Sequence, residues 1–362
     1  EQRKLGDICT WSKGNGLSKD KLIPNTGKNK VVHYADIYKF DEVQKKAIHS
    51  SLETAGRLIQ KNSILFPMSD VTPNGLAKTS TLLEQNVKAG GDVLIAYLNE
   101  SYDCRFISYQ INLNSLYILK YVTGTTIRHI NSKGLSNLCI KAPTLLNQSI
   151  ISNLLMMVDE SIAANERKLS QLKSLKKLFM QRIFIQNWRF KGFTDPWEQR
   201  KLGDVFSYSS SKLIANKISN MGNGQYPVFD ATALIGNIET YDMTNKYISI
   251  IKDGSGVGSI KLRPEKSSVI STMGYLSTKN NSIYFLYYLL SQINLSKYIV
   301  GSTIPHIYFS DYKNGKIFVP KSIEQNKIGF FIKYFDESLA ANERKLENLK
   351  KVKKYLMQNL FV

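Results

Sequence analysis

The sequence repeats itself, and this repeat constrains the fold more than any other feature. Three segments occur twice with few or no changes. They are EQRKLGD at 1–7 and 198–204, KYVTGTTIRHI at 120–130, which returns as KYIVGSTIPHI at 297–307, and DESIAANERKL at 159–169, which returns as DESLAANERKL at 336–346. Similarity at a fixed period is typical of duplicated structural units. The chain therefore consists of two copies of one module.

The two copies agree at their ends and differ in between. The second and third segments recur at an offset of 177 residues and the first at 197, so the stretch between them is 20 residues shorter in the second copy. The two stretches also share little sequence. A duplicated frame thus contains two different inserts, and inserts that bind ligands should bind different ones. The alternative is a purely structural domain whose copies have diverged.

Each copy ends in a predicted long helix. In residues 145–187, and again in the second copy, apolar side chains recur every seven residues in two interleaved series, which is the seam of a coiled coil. We predict that the two helices pack antiparallel, and that the first spans on the order of 65 Å. The predicted seam residues are Leu155, Val158, Ile162, Asn165, Leu169 and Leu172 in the first helix and Ile332, Phe335, Leu339, Asn342, Leu346 and Leu349 in the second.

Polar residues interrupt the seam at equivalent positions of both helices. Asn165 and Asn342 form one such pair, and Lys176 and Lys353 form the other. A polar residue in a coiled-coil seam costs stability but fixes the register of the helices. We therefore expect the two helices to pack against each other, with Asn165 near Asn342 if the pairing is antiparallel and centred there. Helix curvature that exposes these positions is the alternative.

The charge of the chain favours a polyanionic partner. Lys and Arg outnumber Asp and Glu by 49 to 29, and the net charge of +20 is spread over both copies. Each Lys or Arg beside a phosphate releases condensed counterions. No run approaches the roughly 18 apolar residues of a membrane span, no apolar signal core opens the sequence, and the three cysteines have no paired or metal-ligand spacing. We expect a cytoplasmic protein without a metal site.

Short β-rich runs separated by turn residues predict an α/β fold for each insert. The predicted boundaries are 1–144 and 193–320 for the two α/β domains, the second with its linker, and 145–192 and 321–362 for the helices. The glycine-rich DGSGVGS at 253–259 lacks the Lys-Ser/Thr pair of a phosphate-binding loop and precedes a strand-like run. It therefore predicts a tight hairpin turn.

The GTTIRHI and GSTIPHI motifs are candidate phosphate contacts, because hydroxyl and main-chain N–H groups at a loop or helix start bind phosphate oxygens. Arg128 is suited to a guanine edge or a phosphate. His129 and His306 belong to the common frame, and we expect them to support the fold. The candidate DNA contacts are Lys13, Lys19, Ser69, Asn74, Lys78, Thr125, Thr126, Arg128, Lys212, Lys252, Ser255, Lys261, Arg263, Ser302 and Thr303.

The sequence contains no motif that predicts catalysis. It lacks the Asn/Asp-Pro-Pro-aromatic motif of adenine methyltransferases, a Walker motif and clustered nuclease carboxylates, so we expect a non-catalytic chain. Its linker FTDPWEQRKLGDV at 193–205, its two DES-AANERKL helices and its late Gly-Ser/Thr-Thr motifs resemble type I restriction-modification specificity subunits over nearly the whole chain.

This resemblance implies that the chain selects DNA sequences. Each α/β domain would be a target-recognition domain that reads one half of an asymmetric, interrupted site in the major groove, and the paired helices would set the unread spacer. The frame would dock two methyltransferase subunits that carry S-adenosylmethionine, and restriction subunits using ATP and Mg would join them, while this chain binds no cofactor. We also expect a few residues before Glu1, where the first copy lacks FTDPW.

Two other functions fit parts of the sequence. One is a coiled-coil adaptor whose inserts bind proteins, without sequence-specific DNA binding. The other is a self-contained modification enzyme.

Overall fold

The structure, a computed structural model, describes residues 1–24, 26–218 and 224–361. They form two compact units: unit 1 is Glu1–Glu166 with Arg344–Val362, and unit 2 is Arg167–Glu343. Each unit thus contains one insert and a part of both long helices. The domain boundaries predicted above follow the repeat rather than the packing, and they stay a prediction.

Unit 1 contains a five-stranded sheet of order β3-β6-β4-β11-β7, a three-stranded sheet of order β2-β12-β8, and three two-stranded pairs, β1-β14, β10-β5 and β13-β9. Its strands are β1 (Gln2–Lys4), β2 (Cys9–Lys13), β3 (Ile23–Pro24), β4 (Asn29–Val32), β5 (Val43–Gln44), β6 (His49–Ser51), β7 (Arg57–Leu58), β8 (Ser63–Pro67), β9 (Ser69–Asp70), β10 (Thr81–Leu82), β11 (Lys88–Ala89), β12 (Val93–Leu98), β13 (Arg128–His129) and β14 (Cys139–Lys141). All of β8 is buried, as expected of a short apolar run inside a sheet.

Helices cover the β2-β12-β8 sheet of unit 1. They are α1 (Leu5–Ile8), α2 (Tyr34–Ile37), α3 (Pro73–Leu76), α4 (Cys104–Leu113), α5 (Ser132–Leu135) and the first part of α6 (Leu145–Phe184). The side chain of Asp103 caps α4 by accepting a hydrogen bond from Arg105 N, which satisfies one of the free N–H groups at the helix start. Phe106 and Ile107 on α4 are fully buried in the same core as the sheet.

Unit 2 has a four-stranded antiparallel sheet, β16-β22-β19-β20, and a smaller sheet, β18-β17-β21. The strands of the unit are β15 (Glu198–Lys201), β16 (Ser207–Ser210), β17 (Tyr226–Phe229), β18 (Leu234–Ile238), β19 (Tyr247–Ile251), β20 (Ile260–Arg263), β21 (Ser268–Val269), β22 (Met273–Ser277), β23 (Ile299–Val300), β24 (His306–Ile307) and β25 (Lys316–Val319). Its short helices are α7 (Leu202–Val205), α8 (Ala215–Ile218), α9 (Ile283–Leu290) and α10 (Phe309–Tyr312).

The glycine-rich segment of unit 2 joins β19 to β20, which pair as an antiparallel hairpin. The hairpin prediction is therefore confirmed. The connection is a loop over residues 252–259 rather than a tight turn, and Gly254, Gly256 and Gly258 all have positive φ there. A backbone with three such residues favours glycine, which accounts for the composition of the segment without a nucleotide.

The two long helices are α6 and α11 (Ser322–Leu360), close to the predicted ranges. Each begins two residues after a proline, Pro143 or Pro320. A helix does not extend through these prolines from the preceding segment, because proline has no N–H to donate to the carbonyl four residues earlier. In unit 2 the linker after α6 packs on α11: the ring centroids of Trp188 and Phe331 lie 5.8 Å apart, and Arg189 pairs with the buried Glu324 at 2.6 Å. The predicted fold class, two α/β domains with two long helices in an internal repeat, is confirmed.

Candidate nucleic-acid interface and its helical frame

A buried glutamine ties each long helix to the α/β domain that precedes it. In unit 1 Asp103 N, at the start of α4, donates to Gln148 Oε1 over 2.9 Å. In unit 2 Ser282 N, at the start of α9, donates to Gln325 Oε1 over 3.0 Å. Both glutamines also donate to the carbonyl of the proline before their helix. A buried amide left unpaired costs about 1–3 kcal/mol, so these bonds fix the helix on its domain.

A Tyr–Asp–Lys network joins α4, α6 and α11 in unit 1. Tyr109 on α4 donates to Asp159 Oδ2 over 2.6 Å, and Lys353 Nζ lies 2.7 Å from Asp159 Oδ1 and 2.9 Å from Glu42 Oε2. Burial by itself would lower the pKa of Lys353, but the two carboxylates outweigh it and raise that pKa. Burial opposes ionisation of Glu42 in the same way, and Lys353 outweighs it, so the pKa of Glu42 is lowered.

Unit 2 contains the equivalent Tyr–Asp–Lys network, in which the lysine pairs with one carboxylate instead of two. Tyr288 on α9 donates to Asp336 Oδ2 over 2.6 Å, and Lys176 Nζ pairs with Asp336 Oδ1. Asp159 and Asp336 are the same position of the repeated DES-AANERKL segment. The insert of unit 1 adds a second carboxylate to its lysine through Glu42.

Within each unit the segments of α6 and α11 run antiparallel, because a later residue of one helix pairs with an earlier residue of the other. The ion pairs are Asp159–Lys353 and Glu166–Lys350 in unit 1, and Lys173–Glu343 and Lys176–Asp336 in unit 2. None of the twelve predicted seam residues is exposed.

The polar residues of the seam are not exposed by helix curvature. Asn165 is 5% exposed, and the side chains of Lys176 and Lys353 are 22% and 19% exposed. The two lysines hold the networks just described. The register of unit 1 aligns Asn165 with the part of α11 around Lys350, so it does not support the expectation that Asn165 lies beside Asn342.

Both Gly-Ser/Thr-Thr motifs form hairpin loops with exposed tips. Gly124 and Gly301 have φ of +94° and +90°, and a Cβ there would lie 2.3 Å from Ile127 O or 2.4 Å from Ile304 O. Only glycine fits such a turn. The candidate contacts at the exposed tips are Thr125 and Thr126 in unit 1 and Ser302 and Thr303 in unit 2.

In unit 1 this loop lies where β2 and β8 end and β12 begins, at one end of the β2-β12-β8 sheet. This end of the sheet is called its edge below. β13 pairs with β9, and His129 Nδ1 lies 3.3 Å from Ser69 Oγ. Ser69 Oγ lies 3.4 Å from Asp92 Oδ2, and Lys13 Nζ lies 3.7 Å from Asp92 Oδ1. The edge therefore brings two candidate contacts, Lys13 and Ser69, together with a frame histidine and an aspartate.

In unit 2 the loop meets the corresponding edge of its sheet. His306 Nδ1 lies 2.7 Å from Asp253 Oδ1, and Lys252 Nζ lies 2.8 Å from Asp253 Oδ2. Burial would raise the pKa of Asp253, but Lys252 and His306 together lower it. Ser255 is exposed in the adjoining glycine-rich loop. The contacts of both histidines agree with the expectation that they support the fold.

Main-chain hydrogen bonds align the two edges position by position. Met68 N donates to Asp92 O over 2.9 Å, and Lys252 N donates to Thr272 O over 3.0 Å. The equivalent pairs along the edges are Lys13 and Ser210, Ser69 and Asp253, Asp92 and Thr272, and His129 and His306. The histidine is kept, and the other three positions differ in charge or donor–acceptor character.

The remaining candidate contacts are dispersed. Lys19, Asn74, Lys212 and Lys261 are exposed, and Lys78 and Arg128 are half-buried. Arg128 Nη1 donates to Val71 O over 2.8 Å, which holds its guanidinium beside β9.

Arg263 is a correction to the predicted contacts. Its side chain is 7% exposed, its Nε donates to Ser249 Oγ over 3.0 Å, and its Nη2 donates to Asp230 O over 2.6 Å. The guanidinium also lies 4.5 Å from the centre of the Phe229 ring. Arg263 therefore stabilises the core of unit 2 and is not available to a ligand, because its place on β20 faces inward.

The sequence analysis did not predict the carboxylates of the helical networks, Asp159 and Asp336, or the carboxylate at the edge of unit 1, Asp92. Asp159 and Asp336 stand in a segment that the repeat preserves, so that preservation could have marked them as frame residues. Asp92 follows two glycines, and nothing in the sequence indicates that it lies beside Ser69. Only the pairing of β8 with β12 brings these residues together.

Some features are absent from the part of the chain that the structure describes. In residues 1–24, 26–218 and 224–361, no group of His, Cys, Asp and Glu is placed to hold a metal ion, and no helix is long and apolar enough to cross a membrane.

A duplicated α/β domain that presents different polar side chains on matching sheet edges has the architecture of a modular recognition protein. The family model described as the type I restriction modification DNA specificity domain matches residues 1–174 and again residues 194–351. The chain belongs to this family and contains two copies of its domain. The predicted resemblance is confirmed, and the family supports a specificity subunit over the coiled-coil adaptor.

Individual relatives agree with this assignment. The specificity subunit of the type I restriction enzyme MjaVIII from Methanocaldococcus jannaschii is 25% identical over 303 residues, which are 72% of this chain and 70% of the relative. The MjaIX specificity subunit from the same organism is 23% identical over 287 residues, which are 68% of this chain and 65% of the relative. The crystal structure of the type I restriction-modification S subunit from M. genitalium shares the fold, with a TM-score of 0.71 at 19% identity over 100% of this chain and 96% of that one.

Proposed function

We propose that this chain is the DNA-sequence-recognition subunit of a type I restriction-modification complex, in which each unit reads one half of an asymmetric bipartite site. The observation that supports this most is the comparison of the two edges: one frame presents Lys13, Ser69 and Asp92 in unit 1, but Asp253 and Thr272 in unit 2. Two readers with the same geometry and different donors and acceptors should select different bases.

The hairpin tips supply the contacts that carry no sequence information. Thr125, Thr126, Ser302 and Thr303 are exposed and stand in equivalent loops, where hydroxyl and main-chain N–H groups suit phosphate oxygens. Contacts to the backbone position a protein on the duplex, and contacts to base edges specify the sequence. The net charge of +20 supplies the attraction to DNA that both need.

The helical frame docks partners, and the repeat supports two equivalent docking sites. Each long helix exposes large apolar side chains near its start: Leu146 and Met157 on α6 are 70% and 66% exposed, and Ile323 and Tyr334, at the same positions of α11, are 74% and 68% exposed. Exposed apolar groups at repeated positions suit a protein partner. We assign these faces to two methyltransferase subunits, with restriction subunits joining through the complex.

The chain itself is non-catalytic in this proposal. S-adenosylmethionine would be held by the methyltransferase subunits, and ATP and Mg by the restriction subunits, in the cytoplasm where the DNA lies. Methyl transfer to adenine N6 would occur on the partner, at a place that the two units select.

Mapping of methylated adenines tests the proposal. The chain is expressed with its methyltransferase in a host without adenine methylation, and methylated positions are located across the genome. We expect one bipartite motif with a fixed spacer, lost when this chain is omitted. Binding of the purified complex to the motif should weaken steeply as salt rises. Methylation without sequence preference, or full specificity in the absence of this chain, would overturn the proposal.

A further inference from the structure

The edge of unit 1 that carries Lys13, Ser69, Asp92 and His129, called the recognition edge below, contains one weakly bonded carboxylate, Asp92. Its side chain is 45% exposed, and its two polar contacts, with Ser69 Oγ at 3.4 Å and with Lys13 Nζ at 3.7 Å, are both longer than a good hydrogen bond. The carboxylate therefore retains most of its capacity to accept hydrogen bonds. Its main chain, by contrast, is fixed, because Met68 N donates to Asp92 O over 2.9 Å.

Asp92 lines an open cavity of about 390 Å³ in unit 1. One wall consists of backbone, where Gly16 and Leu17 both have left-handed φ, of +57° and +55°. Another wall consists of the rings of His33 and Tyr34, whose centroids lie 4.2 Å apart. Left-handed backbone at a non-glycine residue is strained and concentrates at functional sites. At Gly16 the backbone wall has no side chain.

The other copy of the module has no carboxylate at this position. Thr272 replaces Asp92 and is exposed, while its carbonyl accepts the equivalent main-chain bond from Lys252 N. The acid of that edge is instead Asp253, whose two carboxylate oxygens already contact Lys252 Nζ at 2.8 Å and His306 Nδ1 at 2.7 Å. The repeat therefore preserves the main-chain geometry and changes the free acceptor, which points to a ligand-selecting role for Asp92 rather than a role in folding.

We propose that Asp92 selects a cytosine in the half-site that unit 1 reads, by accepting a hydrogen bond from the N4 amino group in the major groove. The inference rests on the proposed function. A carboxylate close to DNA phosphates lowers the affinity for DNA unless it accepts a hydrogen bond from a base. Its benefit is therefore discrimination between bases. An ionised carboxylate only accepts, which suits cytosine N4, whereas adenine presents N7, an acceptor, beside its N6 donor.

Replacement of Asp92 by asparagine tests this assignment. Asn has the same shape but adds a donor, and so suits the N6 and N7 pair of adenine. The complex with its methyltransferase is given duplexes that carry each base pair in turn at every specified position. We expect the preference for C·G at one position of one half-site to fall about tenfold to a hundredfold, with A·T gaining most, and the other half-site to stay unchanged.

The controls separate this inference from the proposed function. Asp20→Asn removes the same charge from an exposed carboxylate of unit 1 and should leave every preference as in the wild type. A wild-type complex without sequence preference would overturn the proposed function and this inference with it. A specific wild type whose preferences are unchanged in a folded Asp92→Asn variant, or changed equally at many positions, would overturn the inference alone.

Discussion

The two units differ least where each long helix meets its domain and most along the edge beside the hairpin loop. At the helix, Gln148 and Gln325 make the same bonds, and Tyr109–Asp159 matches Tyr288–Asp336. At the edge, only the histidine is common. A partner that docks twice requires the first region to stay constant, and an asymmetric ligand requires the second to vary. Under the proposed function, the comparison therefore separates the residues expected to hold the assembly from those expected to select the ligand.

The comparison also shows where an insert reaches into the frame. Lys353 contacts Asp159 of the frame and Glu42 of the insert, whereas its equivalent, Lys176, contacts Asp336. The frame of unit 1 thus depends in part on its own insert. Exchange of inserts should be tolerated more easily in unit 2.

The largest expected effect comes from exchanging the insert of unit 2. Replacement of residues 205–300 by an insert from another member of the family should change one half of the methylated motif completely and leave the other half and the spacer as they were. The physical reason is that the edge residues of unit 1 lie outside the replaced segment. Mapping of methylated adenines measures the result. A change in both half-sites would show that the two readers are not independent.

A change in helix length tests the frame as a spacer. Four residues inserted between Lys168 and Lys176 rotate the following seam by slightly more than one full turn, since a helix has 3.6 residues per turn. The seam then still faces its partner, and we expect a longer spacer or, if the second helix cannot follow, loss of binding. Two inserted residues turn the seam to the opposite side and should abolish assembly. An unchanged spacer with full activity in both variants would contradict a spacer role.

Loss of the seam lysines should affect the units unequally. Lys353→Met leaves Asp159 and Glu42, 22% and 17% exposed, without their cation, which we expect to destabilise unit 1 by about 3 kcal/mol. Lys176→Met leaves Asp336, which is 39% exposed, and should cost unit 2 about 1 kcal/mol or less. Hydrogen exchange of α4 and α9 reports on each unit separately. Equal losses of protection would argue against a special role for Glu42.

Sequence patterns predicted the frame because its determinants are local and occur twice. The seven-residue spacing gave both helices within a few residues, and the glycines of the loops marked turns that only glycine permits. The recognition edge depends on strand pairing over long separations. Asp92 meets Ser69 only through the register of β8 with β12, and Arg263 is buried only because of the face of β20 on which it lies. Neither fact has a signal in a single sequence, so basic charge alone wrongly placed Arg263 among the predicted contacts.

The pH dependence of unit 1 offers the finest test of the difference between the units. The folded-state pKa of Glu42 is lowered from 4.5, chiefly by Lys353 acting against burial. Its contribution to stability is therefore complete above about pH 4.5 and is lost as the pH falls through the lowered pKa of the folded state. In Glu42→Gln we expect unit 1 to be less stable at pH 7 by about 1 kcal/mol, but to lose less stability on acidification. Hydrogen exchange of α4 at several pH values measures both effects, with the exposed Glu100→Gln as the matched control. The same acid sensitivity in the wild type and in Glu42→Gln would show that the insert does not couple to the frame through this carboxylate.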